Sequence, residues 1–202
     1  MSSDSELIKN QNSSALPIIT FDLDGVLCNP IFGLNLGINN SPLDPEAESV
    51  PANIPPIWLR LLWDTIRFEL RRPISGTVQV LTQLQANYSL ILVTGRRTSP
   101  GSWMRRHGIE KYFDAIIWNS TLDKSPHYKL LTLNRIQPLA HIEDDPRTAD
   151  LLAYYGHRVI LRDWPSSRTA KIHSSVQRIP TLQSLLDGSE DLLSSRDDSS
   201  YS

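Results

Sequence analysis

At 202 residues, with 20 Lys and Arg against 22 Asp and Glu and a formal net charge of −2, the chain can bury one real core plus a modest insertion, and it lacks the basic surplus that would predict nucleic acid or an anionic membrane as its main partner. Apolar residues at 40% and charged residues at 21% are ordinary for a globular protein, and no apolar run approaches the ~20 residues that a membrane span needs. The single cysteine, Cys28, excludes an internal disulfide and suits a reducing compartment.

The opening "MSSDSELIKNQNSS" is polar and lacks the basic-then-apolar pattern of a secretory signal. Residues 1–15 and the tail 188–202 are rich in Ser, Asp and Glu and poor in core-forming residues, so both are expected to be unstructured. The expectation is a soluble, cytoplasmic protein.

Between the tails, short apolar runs alternate with helix-like segments. The first strand candidate, Pro17–Phe21, runs into "DLDGVLCNP". Residues 29–72 then break the alternation with an Asn- and Pro-rich loop and the segment "IPPIWLRLLWDTIRFELRRP". Pro56 can start a helix there and Pro73 ends it. Trp58, Leu61, Leu62, Thr65 and Phe68 form an apolar face. Arg60, Asp64, Arg67 and Arg71 share the other side, read as a solvated face on which Asp64 pairs with the arginines. The same arginine row could instead meet a second anionic group on a substrate.

After Pro73, Ile74, Val78, Leu81 and Leu84 recur at helical spacing, and a second strand, Ser89–Val93, follows. "SPGSWMRRHG" reads as a helix capped by Ser99 and stopped at Gly108. Asp114–Trp118 is the third strand, and "SPHYKLLTLNRI" is a helix opening at Ser125 and Pro126. Leu139–Ile142 is the fourth strand, and "DPRTADLLAYYG" is a helix capped by Asp145. Arg158–Leu161 is the fifth strand, with a last short helix in "TLQSLLD". This alternation predicts an α/β fold: a Rossmann-like, five-stranded parallel sheet flanked by helices. Residues 16–28 and 73–187 would form the core domain. Residues 29–72 would be a small, mainly helical cap inserted after the first strand.

Chemistry-bearing residues gather at the strand ends, where such folds place their sites. Asp22 and Asp24 are one residue apart and point roughly the same way from an extended segment, with Gly25 allowing a sharp turn. Two carboxylates that close repel unless a cation, a shared proton or different environments separate them. The second strand ends in Thr94 and Gly95, a hydroxyl and a backbone N–H able to approach a ligand closely, followed by Arg96 and Arg97. The fourth ends in Glu143, Asp144 and Asp145. Asp145 reads as a helix cap, while Glu143 and Asp144 add oxygens to those of the first strand, a set that suits Mg²⁺. Lys129, with Lys124 as its competitor, stands early in the helix before that strand. His141 is read as a satisfied core histidine and Cys28 as a small core residue.

The order acid–x–acid–Gly, then Thr, then Lys, then an acidic pair resembles the haloacid dehalogenase superfamily of phosphohydrolases. "FDLDGVL" is similar to its first motif, Thr94 in "LVTG" to its second, Lys129 to its third and "HIEDDP" to its fourth, over roughly residues 17–163. The stretches "LRRPISGTVQVL", "TGRR" and "IEDDPRTADLL" look closest to the deoxyribonucleotidase-like and polynucleotide-phosphatase-like branches. Glu143 departs from the Gly or Asp that many members carry.

The resemblance implies an enzyme that hydrolyses a small phosphate monoester, such as a nucleoside monophosphate, through an aspartyl-phosphate. Asp22 would be the nucleophile and Asp24 the general acid and base. Mg²⁺ would be held by Asp22, the Asp24 carbonyl, and Asp144 with or without Glu143. Thr94, Gly95 and Lys129 would bind phosphate oxygens. Dehalogenases of this superfamily lack an acid at the position of Asp24, and its transport ATPases carry Thr there, so Asp24 favours phosphatase or phosphotransferase chemistry. Alternatives are a sugar or other small-metabolite phosphatase, a catalytically idle binding protein of the same fold, and a receiver-like phosphoacceptor.

Overall fold

The computed structural model describes residues 16–30, 71–187 and 192–193. The helix expected between Pro56 and Pro73, with Trp58, Arg60, Asp64 and Arg67, falls outside the described residues, as do both tails.

Six parallel strands form one sheet: β1 (Ile18–Phe21), β2 (Ser89–Thr94), β3 (Ala115–Trp118), β4 (Ala140–Glu143), β5 (Val159–Arg162) and β6 (Gln177–Ile179), in the order β3-β2-β1-β4-β5-β6. All five strands expected from the sequence are present within a residue or two of their predicted bounds. The sixth, β6, was not anticipated: Gln177 and Arg178 are polar and only Ile179 is buried, so this three-residue edge strand carries no apolar run to read.

Helices α1 (Thr77–Leu84), α2 (Gly101–Arg106), α3 (Ser125–Ile136), α4 (Pro146–Tyr154) and α5 (Ser184–Asp187) complete the fold, with a 3₁₀ turn at Glu110–Tyr112. The buried face of α1 is Thr77, Val80, Leu81 and Leu84. Val78 faces outward, and Ile74 is buried ahead of the helix. Helix α4 begins as its sequence dictates: Asp145 Oδ1 accepts from Arg147 N at 3.2 Å, and Pro146 occupies the first turn.

Alternating side chains on the strands divide the core in two. Ile19, Phe21, Leu90, Leu92, Ile142 and Ile160 pack with α1, Trp103 and Leu185 on one face. Val93, Val159 and Leu161 pack with α3 and α4 on the other. The chain builds β1, β2 and β3 outward in one direction and then crosses back to place β4 on the far side of β1. The sheet therefore has its topological switch point between β1 and β4, at the carboxyl edge where ligands bind in such folds.

The stretch after β1 leaves and returns at one place. Asn29 N donates to Arg72 O at 3.0 Å, its side-chain amide reaches the carbonyls of Arg72 and Pro73, and Ile74 N donates to Leu27 O at 2.9 Å. These bonds tie residues 27 and 29 to residues 72–74.

Candidate active site

The last residue of β1, Phe21, lies in register with Leu92 of β2 and Ile142 of β4. Asp22, Thr94 and Glu143 therefore all reach the same edge of the sheet. Asp22 N donates to Ile142 O at 2.9 Å, which fixes the first acid beside the end of β4.

Thr20 and Asp22 share one face of β1, as His141 and Glu143 share that face of β4. Helix α3 covers this face and contributes Lys129. These side chains form a buried polar seam. Thr20 Oγ1 lies 2.9 Å from His141 Nδ1, His141 Nε2 lies 3.2 Å from Glu143 Oε2, and Lys129 Nζ donates to that same oxygen at 2.6 Å. Lys129 Nζ also stands 3.1 Å from Asp22 Oδ1. Burial pushes His141 down, so the ring is neutral. It then gives its Nε2 proton to Glu143 and accepts from Thr20 at Nδ1. His141 is thus the satisfied core histidine expected from its place in a strand.

Glu143 Oε1 also accepts from the backbone N–H groups of Asp144 and Asp145, at 3.1 and 3.2 Å. Its two oxygens take part in four hydrogen bonds. Burial works against the Glu143 charge, but the Lys129 ammonium and the His141 bond outweigh it and hold the carboxyl well below its ordinary range. Asp22 moves the other way. Burial raises it to about 7, the nearby charges of Glu143 and Asp24 add to the rise, and Lys129 opposes it. Burial likewise opposes the Lys129 ammonium, yet Asp22 and Glu143 keep it charged. Lys129 is the fifth residue of α3, early in the helix as expected, and Lys124, its competitor, is exposed at the N-cap.

Asp22, Glu143 and Asp144 are all buried, and each offers an oxygen within 4.8 Å of the others. The donor set fits a hard divalent cation, and Asp22 Oδ1, buried with the Lys129 ammonium 3.1 Å away, makes no hydrogen bond. Both Glu143 oxygens are already engaged in hydrogen bonds, one of them to Lys129 Nζ.

Asp24 has different partners. Arg96 grips it with a fork, Nε to Oδ2 at 2.8 Å and Nη2 to Oδ1 at 2.7 Å, and Arg71 Nη1 reaches Oδ1 at 2.6 Å. Burial pushes this carboxyl up, but Arg96 and then Arg71 bring it below its ordinary value. Arg71 is therefore not on a solvated helix face. Its side chain is 10% exposed, and its carbonyl accepts from the buried Trp103 Nε1 at 2.9 Å. Both arginine contacts with Asp24 were missed in the sequence. They span 47 and 72 residues, and no local spacing announces them.

Thr94 is buried, and its hydroxyl oxygen accepts from Arg96 N at 3.3 Å, so its own proton is left to donate. Gly95 also packs closely: a Cβ there would stand 1.9 Å from Ser125 Oγ, so the end of β2 packs on the start of α3. Arg97 adds no charge to the cluster. It donates to the carbonyls of Thr121, Leu122 and Asp123 and fixes the loop before α3. Arg162 and Trp164, which the sequence reading also missed, both donate to Gly25 O, at 2.8 and 3.1 Å, and stack on one another.

The sequence matches no protein-family model and none of the curated proteins. The fold does have solved counterparts. A haloacid dehalogenase-like hydrolase from Streptococcus pneumoniae is 15% identical, with 85% of this chain and 97% of that one covered and a TM-score of 0.58. CbbY from Rhodobacter sphaeroides, solved with phosphate, is 17% identical over 84% of this chain and 96% of its own, with a TM-score of 0.57. An L-2-haloacid dehalogenase from Xanthobacter autotrophicus is 11% identical over 88% and 99%, with a TM-score of 0.58. No helix among the described residues is long and apolar enough to cross a membrane. The chain has the haloacid dehalogenase-like fold, with its buried acids gathered at the switch point of the sheet.

Proposed function

We propose that the protein is a Mg²⁺-dependent phosphatase acting on a small phosphate monoester, with residues 29–72 as a cap over the site. The fold alone does not decide this, because the same fold appears in a dehalogenase. The observation that carries the reading is the Lys129 ammonium 3.1 Å from Asp22 Oδ1, beside the buried Asp144. This arrangement sets a nucleophile, a cation for phosphate oxygens and an acid for a metal at one strand edge. The acid at position 24 further favours phosphoryl transfer over dehalogenation.

Asp22 and Asp144 would hold Mg²⁺, which when bound supplies positive charge against the repulsion between an anionic nucleophile and an anionic phosphate. A carboxylate oxygen of Asp22 attacks phosphorus, the bond to the leaving oxygen breaks, and an aspartyl-phosphate forms. As the ester binds, Asp24 gives up its arginine bonds and takes a proton from solvent, passes that proton to the leaving oxygen, then takes one from the water that hydrolyses the intermediate. The Thr94 hydroxyl, the Gly95 N–H and Lys129 bind the other phosphate oxygens through charge-assisted bonds. Glu143, fixed by His141 and two backbone amides, aims Lys129.

Nucleoside monophosphates are the substrates we favour, by the likeness of the "TGRR" and "IEDDPRTADLL" stretches to deoxyribonucleotidase-like enzymes; sugar and other metabolite phosphates are the alternative. The test is phosphate release from an aryl phosphate with and without Mg²⁺, followed by a panel of nucleotides and phosphorylated metabolites. Metal-dependent release that Asp22→Asn abolishes supports the reading. Absence of release from every ester would overturn it.

A further inference from the structure

The mechanism leaves two arginines unused, and both touch the general acid. Arg71 and Arg96 place three charge-assisted bonds on the Asp24 carboxylate, at 2.6 to 2.8 Å. Neither guanidinium is loosely held. Arg96 is 3% exposed and also reaches Cys28 Sγ at 3.8 Å. Arg71 stands at the stem of the insertion, where Trp103 bonds its carbonyl.

Asp24, by contrast, is 28% exposed. The carboxylate is the open member of the cluster and the guanidinia are its buried wall. Both Asp24 oxygens accept from arginine, so to carry a proton to a leaving oxygen Asp24 must leave the fork. Its departure strips both arginines of strong bonds, a costly change unless another anion replaces it. A planar carboxylate or a phosphate matches the fork geometry that Asp24 now fills.

We propose that Arg71 and Arg96 form a second anion subsite, which selects phosphate monoesters whose leaving group carries a carboxylate or a second phosphate, and that such a substrate displaces Asp24 from the fork. This rests on the phosphatase reading above and on the role given there to Asp24.

The experiment uses a matched series on one three-carbon chain with Mg²⁺ present: propyl phosphate, 3-phosphooxypropanoate and propane-1,3-diyl bisphosphate. The expected result is a kcat/KM at least tenfold higher for one or both doubly anionic esters than for propyl phosphate. That ratio should collapse in Arg71→Gln, checked by thermal melting to be folded, chiefly through KM. The carboxylate and bisphosphate arms show which anion the fork takes. Equal kcat/KM for all three in the wild-type protein would overturn the subsite and leave the phosphatase reading standing. An unchanged ratio in folded Arg71→Gln would also overturn it. No release from any of the three would overturn the phosphatase reading, and this inference with it.

Discussion

Gly25 lies directly against the Asp144 carboxylate: a Cβ built on Gly25 would stand 1.8 Å from Asp144 Oδ2. The backbone there has φ +72°, and its carbonyl is held by Arg162 and Trp164. The turn after the first two acids is thus shaped to the later acid, 119 residues further along, as 144 − 25 shows.

Gly25→Ala is predicted to strain the backbone by about 1–3 kcal/mol and to push Asp144 out of place. Denaturant unfolding and a Mg²⁺ titration measure the two effects. Gly108→Ala is the control, because φ is +67° there but nothing lies within 4 Å of the added methyl. It should cost about 1–2 kcal/mol of strain and leave Mg²⁺ binding unchanged.

Lys129 neutralises two buried acids at once. Lys129→Met leaves Glu143 and Asp22 without their ammonium and is predicted to destabilise the fold by about 3–5 kcal/mol. Adding Glu143→Gln removes one of the stranded charges. The double variant should then lose less than the sum of the singles, by about 1–3 kcal/mol in a double-mutant cycle. Strict additivity would show that the seam is not energetically coupled.

How much of this could be read from the chain follows from where the information sits. β1, β2 and β4 announce themselves because apolar runs such as "PIITF" and "LILV" end abruptly in polar residues, and the switch point then follows from the alternation with helices. Asp145 as a cap and His141 as a core residue were legible from immediate neighbours. The pairing of His141 with Glu143 was available too, since residues two apart on a strand share a face. The arginine fork on Asp24 was not, because Arg71 and Arg96 converge only once the stem of the insertion closes. Arg71 in particular looked like one member of a helical row, and its position beside Asp24 is set by Trp103 and by the pairing of residue 29 with residue 72.

Metal binding should depend on pH with a definite sign. Folding raises Asp22 from 3.8 to about 7, so its protonated form favours the fold. That contribution is complete below pH 3.8 and is lost as pH rises through about 7. A cation must take the deprotonated carboxylate. A fixed Mg²⁺ concentration, about 100 times the Kd at pH 8, is therefore predicted to raise Tm by about 5–10 °C at pH 8 and by far less at pH 5.5. Thermal melts with Mg²⁺ and with EDTA at both pH values check this. An equal shift at the two pH values would contradict it.

The measurement closest to the central claim is the location of the phosphoryl group during turnover. Enzyme mixed with Mg²⁺ and a hydrolysed ester, quenched in acid and digested, can be mapped by mass spectrometry. The account predicts phosphate on the peptide that carries Asp22, and none in Asp22→Asn. A phosphoryl group on any other side chain, or full turnover by Asp22→Asn, would contradict it.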